Sequence, residues 1–237
     1  VPSKPLVIIP ARVGSKGISG KNFRPLAGRS PFKRALDCVR ELDAEVIIST
    51  DSANLFHHVG QRLYAPAPLH TDDCSMVDVV LDVLRRVPGP PDQVVLLVQP
   101  TQPLRRPAHL RRALRWFEHD CVSMASVVRV EPAQKLYYAD FEPVTVAPLE
   151  QRQAAKPTFA CDGTVYGFRR GWFLEWGEFR LEGETRMMEV SAGESCRLDT
   201  ETDWAIAELR VAAADRGRVE QRDPVQLQLP FGVERLL

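Results

Sequence analysis

Arg12, Lys16 and Lys21 fall in one short run, Ile9-Pro-Ala-Arg-Val-Gly-Ser-Lys-Gly-Ile-Ser-Gly-Lys-Asn22, interleaved with Gly14, Gly17 and Gly20. Glycines let backbone N–H groups approach a ligand closely, and successive N–H groups in such a loop make a concavity for anions. Cations beside them strengthen it through charge-assisted hydrogen bonds. The run follows the apolar stretch Leu6-Val7-Ile8-Ile9. A cationic, glycine-rich loop leaving the carboxyl end of a first strand reads as a phosphate cradle. It is neither of the two commonest cradles. The P-loop needs Gly, four residues, then Gly-Lys-Ser/Thr. Here Ser15 stands where that first glycine belongs, and Asn22 follows Lys21. The dinucleotide pattern Gly-x-Gly-x-x-Gly fails too, because these glycines recur every third residue.

Carboxylates supply the other half of phosphate chemistry, because hard cations such as Mg²⁺ take oxygen ligands and leave places for substrate phosphates. Two are placed suggestively. Asp51 ends the apolar run 45–50, and Asp199 precedes the helix start Thr200-x-x-Asp203.

The ordered motifs resemble the acylneuraminate cytidylyltransferases, the CMP-sialic acid synthetase-like sugar nucleotidyltransferases. The glycine-rich run resembles that family's signature. Ser49-Thr50-Asp51, Gln99-Pro-Thr-Gln-Pro-Leu-Arg105, Asp162-Gly-Thr-Val-Tyr166 and Leu198-Asp-Thr-Glu-Thr-Asp203 follow in the family's order. The resemblance implies an α/β, Rossmann-like nucleotidyltransferase fold, with a mostly parallel sheet flanked by helices and a small inserted lobe. It implies transfer of CMP from CTP to an acidic sugar such as a nonulosonic acid, with Mg²⁺ and release of pyrophosphate. Arg12, Lys16 and Lys21 would be catalytic. Ala11, Arg12, Gly14, Ser15, Lys16, Asn22 and Asp51 would bind nucleotide. Gln99, Gln102, Lys135, Arg152 and Asp162 would bind acceptor, and Asp199 the metal. A homodimer is also implied. The chain departs from the family at Ala65, Ala160, Asp162 and Arg197, the last standing where relatives carry a first metal aspartate. Another base or acceptor, or a non-catalytic nucleotide-binding homologue, therefore stay open as alternatives.

Positioning these residues requires repeated β-α units. Residues 6–10, 45–50 and 94–98 are apolar runs of the kind found in strands buried on both faces. Helix-period segments are expected at 31–42, 52–63, 75–87 and 107–118, with Val77, Val80, Leu81 and Leu84 as the apolar stripe of the third. Strands are expected at 121–130 and 163–168, then a last helix from Thr200 to about Asp215 and a less regular tail from 217. Prolines at 132, 143, 148 and 157 mark an inserted lobe over about 131–160 within one domain spanning 1–237. In a parallel sheet, ligands bind beyond the carboxyl ends of the strands. The glycine-rich loop, Asp51 and Gln99 all leave such ends.

Composition narrows the partners. With 31 basic and 31 acidic residues the formal net charge is zero, which favours neither nucleic acid nor an anionic membrane. The basic cluster at 105–115 reads as the solvated face of a helix. Five scattered cysteines without a Cys-x-x-Cys argue against a disulfide framework or a structural zinc, and read as small buried hydrophobes. No apolar run spans a bilayer and no leader pattern opens the chain, so a reducing cytoplasm is expected.

Overall fold

A computed structural model describes residues 3–14, 17–52, 61–64, 69, 71, 73–130, 158–179 and 183–220. Its centre is a sheet of seven strands: β1 (Leu6–Pro10), β2 (Glu45–Thr50), β3 (Gln61–Tyr64), β4 (Val94–Leu97), β5 (Ser123–Val130), β6 (Thr158–Arg169) and β7 (Thr185–Val190). Their spatial order is β3-β2-β1-β4-β6-β5-β7. Only β6 runs against the others, pairing antiparallel with both β4 and β5. The Rossmann-like, mostly parallel sheet expected from the sequence is therefore present. The chain moves outward from β1 to β2 and β3, then crosses back to place β4 on the other side of β1. Loops leaving β1 and β4 thus diverge in opposite senses, which opens a crevice between them.

Alternation along the central strands sorts the core into two layers. Val7, Ile9, Ile48 and Leu96 pack against helix α1 (Pro31–Arg40) and helix α3 (Pro107–Trp116), through Phe32, Leu36, Val39, Leu110 and Ala113. Leu6, Ile8, Ile47, Val95 and Leu97 face helix α2 (Met76–Arg86) and the short helix α4 (Arg170–Trp176). Helix α2 begins on a capping box in which Ser75 and Asp78 satisfy each other's backbone N–H groups. Its buried stripe is Val79, Val80, Val83 and Leu84, with Val77 and Leu81 at the margin.

Helix α5 (Glu201–Glu220) makes a third, smaller core. Trp204, Ala207 and Val211 pack on Ile18, Leu26, Leu104, Cys196 and Leu198. Ile18 belongs to the glycine-rich run and is fully buried. Burying an isoleucine stabilises by about 1.5–3 kcal/mol, so α5 anchors the loop firmly. Arg24 reinforces it, pairing with Glu201 at 2.7 Å and lying 4.5 Å above the Trp204 ring.

Several expectations need correction. Residues 61–63, expected at the end of a helix, belong to strand β3. β6 starts at Thr158, inside the span expected for the lobe. α4 and β7 were not anticipated, and α5 continues past residue 215 into the stretch expected to be irregular. Arg105 is buried instead of lying on the solvated helix face. Cys38, Cys121 and Cys196 are buried as expected, whereas Cys74 and Cys161 are only half-buried. The bulk of the expected lobe, with Lys135 and Arg152, lies outside the described residues, as do Ser15, Lys16 and Ala65.

Candidate active site

The crevice at the carboxyl ends of β1 and β4 is an open cleft of about 360 Å³. Ala11, Arg12, Lys21, Asn22, Asp51, Gln99, Gln102, Asp162, Arg197 and Asp199 all line it. Residues nearly two hundred positions apart thus meet in one site. Gly14 does not line it.

The first turn after β1 is fixed by its backbone. Ala11 donates to the Ser49 carbonyl at 2.8 Å, and the Thr50 hydroxyl donates to the Ala11 carbonyl at 2.7 Å. Buried Asn22 donates its amide to the Arg12 carbonyl at 2.9 Å. Asp51 accepts from the Val13 N–H at 2.7 Å. Asn22 and Asp51 therefore hold the loop while also facing the cleft. Arg12 extends across the opening, donating to the Thr71 carbonyl at 2.8 Å.

The loop then docks on the segment before α5. Lys21 donates to the Leu198 carbonyl at 3.2 Å. Gly17 packs so tightly that a Cβ there would lie 2.7 Å from the Asp199 carbonyl oxygen. That oxygen is backbone and cannot rotate away. Gly17→Ala is therefore expected to shift the loop and lower turnover by about 10- to 100-fold, since small misplacements of positioning groups cost that much. Steady-state turnover and a thermal melt on the same sample check this; wild-type turnover would show that loop position does not matter.

Asp199 sits where Thr200 and Asp203 cap α5. Asp203 accepts from the Thr200 N–H at 2.8 Å and donates its own N–H to the Thr200 hydroxyl at 3.1 Å. The Thr200 hydroxyl also donates to that carboxylate at 2.8 Å, and this bond, followed by the one from the Thr200 N–H, holds the Asp203 carboxyl below the usual range. The Asp199 carboxylate stays half exposed and pairs with Arg197 at 3.0 Å. Residues 197 and 198 belong to no strand, and Asp199 lies at a bend just before α5.

The opposite wall is braced from beneath. Asp162 is buried, and its two oxygens accept from the Thr164 N–H and hydroxyl. Gln102 spends its amide on two backbone groups, donating to the Asp162 carbonyl and accepting from the Cys196 N–H at 3.0 Å. Each end of that amide keeps one further hydrogen or lone pair, and Gln99, whose side chain approaches Gly163, lines the same wall. Gly163 itself has φ +76°, a left-handed conformation that favours glycine. Arg105, the last residue of the Gln99–Arg105 motif, donates to the carbonyls of Gln99, Gly163 and Thr164. Leu69, Met76, Val79 and Tyr166 add an apolar portion to the cleft that no sequence signal revealed.

Residues 6–169 match the family described as Cytidylyltransferase. The chain belongs to that family. This cytidylyltransferase is 30% identical to a CMP-N,N'-diacetyllegionaminic acid synthase of Legionella pneumophila, over 86% of this chain and 94% of that one. It is 28% identical to an N-acylneuraminate cytidylyltransferase of Streptococcus agalactiae over 85% of its length, and spans about half (52%) of that longer relative. The fold matches a CMP:2-keto-3-deoxy-manno-octonic acid synthetase solved with CTP, with a TM-score of 0.66 at 18% identity, covering 90% of this chain and all of that one (100%). The resemblance read from the five motifs is thereby borne out at the level of family and fold. Among the described residues, no helix of this cytidylyltransferase is long and apolar enough to cross a membrane.

Proposed function

We propose that this cytidylyltransferase joins CMP to an acidic sugar of the nonulosonic type, using CTP and releasing pyrophosphate. A hydroxyl of the sugar attacks the α-phosphorus; the new O–P bond forms as the bond to the β-phosphate oxygen breaks, and the hydroxyl proton is lost. The observation that carries this reading is the convergence of Arg12, Lys21 and Asp199 in one cleft at the topological switch of the sheet. The relative named for a CMP-legionaminic acid product, matched along most of both chains, supports the acceptor class.

The roles follow from position and charge. Arg12 and Lys21, with Lys16 from the same loop, stabilise charge on the phosphates, where fixed donors act most strongly. Ala11, Asn22 and Asp51 shape the nucleotide side. Gln99 faces the acceptor, and Lys135 and Arg152 are the candidate partners of its carboxylate, for which an arginine fork is well suited. Asp199 suits Mg²⁺, which accepts one or two carboxylates and completes its shell with water and phosphate oxygens. Among the described residues no cluster of three acidic, histidine or cysteine side chains could hold a metal alone. Bound there, Mg²⁺ would neutralise triphosphate charge. The proposal includes a homodimer and a reducing cytoplasmic setting; five unbridged cysteines support the latter.

Pyrophosphate release measured with CTP, UTP, GTP and ATP against a panel of sugar acids tests the reading. Turnover is expected with CTP and a nonulosonic acid. Preference for another nucleotide, or for a neutral sugar, would overturn it. The Arg197–Asp199 ion pair favours one second reading, a nucleotide-binding homologue without catalysis, which the same assay detects as CTP binding without turnover.

A further inference from the structure

We propose that Arg197 is a phosphate-binding residue that exchanges partners, neutralising Asp199 until nucleotide binds and then turning to the triphosphate. This rests on the nucleotide reading above. Arg197 and Asp199 both line the cleft that holds Arg12 and Lys21. Their closest approach is 3.0 Å, between side chains that remain 67% and 53% exposed. Exposed pairs of this kind hold weakly, because water screens them and ordering two flexible side chains costs entropy. A triphosphate carries several negative charges, so it draws a guanidinium more strongly than one exposed carboxylate does.

The exchange is reinforced by its surroundings. Gly17 abuts the Asp199 backbone and Lys21 holds the Leu198 carbonyl, so phosphates seated in the glycine-rich loop lie close to Arg197. Once the guanidinium leaves, Asp199 is released as an oxygen ligand for a hard cation. Two aspartates side by side would attract a cation before nucleotide arrived. An arginine beside one aspartate removes that excess negative charge and supplies permanent positive charge instead. Nucleotide and metal should therefore bind cooperatively here, with little metal taken up alone.

Binding measurements test this without reference to turnover. CTP affinity is measured by calorimetry in EDTA and again with Mg²⁺, and Mn²⁺ uptake by nucleotide-free protein is followed by electron paramagnetic resonance. Arg197→Gln is expected to weaken metal-free CTP binding by about tenfold or more, the scale of a lost charged contact. The same variant is expected to bind Mn²⁺ more tightly without nucleotide. Asp199→Asn is expected to bind metal-free CTP more tightly than wild type, because Arg197 then has no competing carboxylate, and to lose the gain that Mg²⁺ brings. Both lie in exposed positions, and matching thermal melts confirm folding. Unchanged metal-free CTP affinity in Arg197→Gln would overturn the proposal while leaving the nucleotide reading intact. Wild-type protein that binds no CTP in either condition would overturn both.

Discussion

Arg12→Ala is expected to lower the turnover of nucleotidyl transfer by about 100- to 1,000-fold, the loss typical of removing one positioned donor from a developing negative charge. Arg12 lies on the turn after β1, and its side chain bridges to the Thr71 carbonyl across the mouth of the cleft. That bridge is not what holds the turn. Thr50, Asn22 and Asp51 bind the surrounding backbone, so the loop keeps its course when the guanidinium is removed. The melting temperature should therefore move little. Arg12→Lys separates charge from geometry: it restores a point charge without the planar fork, and partial recovery is expected. Pyrophosphate release for the three proteins, each checked by thermal melt, decides the matter. Turnover near wild type in Arg12→Ala would remove Arg12 from the phosphate site.

Arg105→Met is expected to cost about 2–4 kcal/mol of stability, read as a lower urea midpoint at unchanged slope. Arg105 is 2% exposed, and its guanidinium reaches the backbone carbonyls of Gln99, Gly163 and Thr164. Burial pulls its pKa down to about 10, which still leaves it fully charged at neutral pH. Methionine fills similar space but donates nothing, so three carbonyls lose a partner at once. Part of that loss is offset, because the buried guanidinium itself was costly to desolvate and its Nη1 has no hydrogen-bond partner among the described residues. The lost brace joins the loop after β4 to the turn at Gly163, so acceptor affinity should fall as well. A stability change below about 0.5 kcal/mol, the ordinary range of surface substitutions, would show that these carbonyls find other donors.

These two arginines differ in how much of their placement a local pattern records. Arg12 was legible because its signal is local: a buried strand, then glycines and cations at close spacing. β1, β2 and β4 were legible for a related reason. Strands covered on both faces leave unbroken apolar runs, and the helices over them leave a 3.6-residue stripe. β3, β7 and α4 left no such trace. β3 has only four residues, α4 only seven, and β7 is an edge strand with exposed Met187 and Glu189, so none carries enough period to register.

Residue types alone determined the family, the class of fold, the place of the glycine-rich loop after β1 and the presence of Arg197 two residues before Asp199. Tertiary structure alone decided what those residues are free to do. Gln102 and Asp162, expected as acceptor contacts, also brace the cleft wall through bonds to the Asp162 carbonyl, the Cys196 N–H and Thr164. Arg105 looked like one of several surface cations, yet it holds a cleft wall together. The reason is that a buried backbone carbonyl must find a donor wherever the fold has brought one. Which donor that is depends on chain segments far apart in sequence, and no local pattern records it.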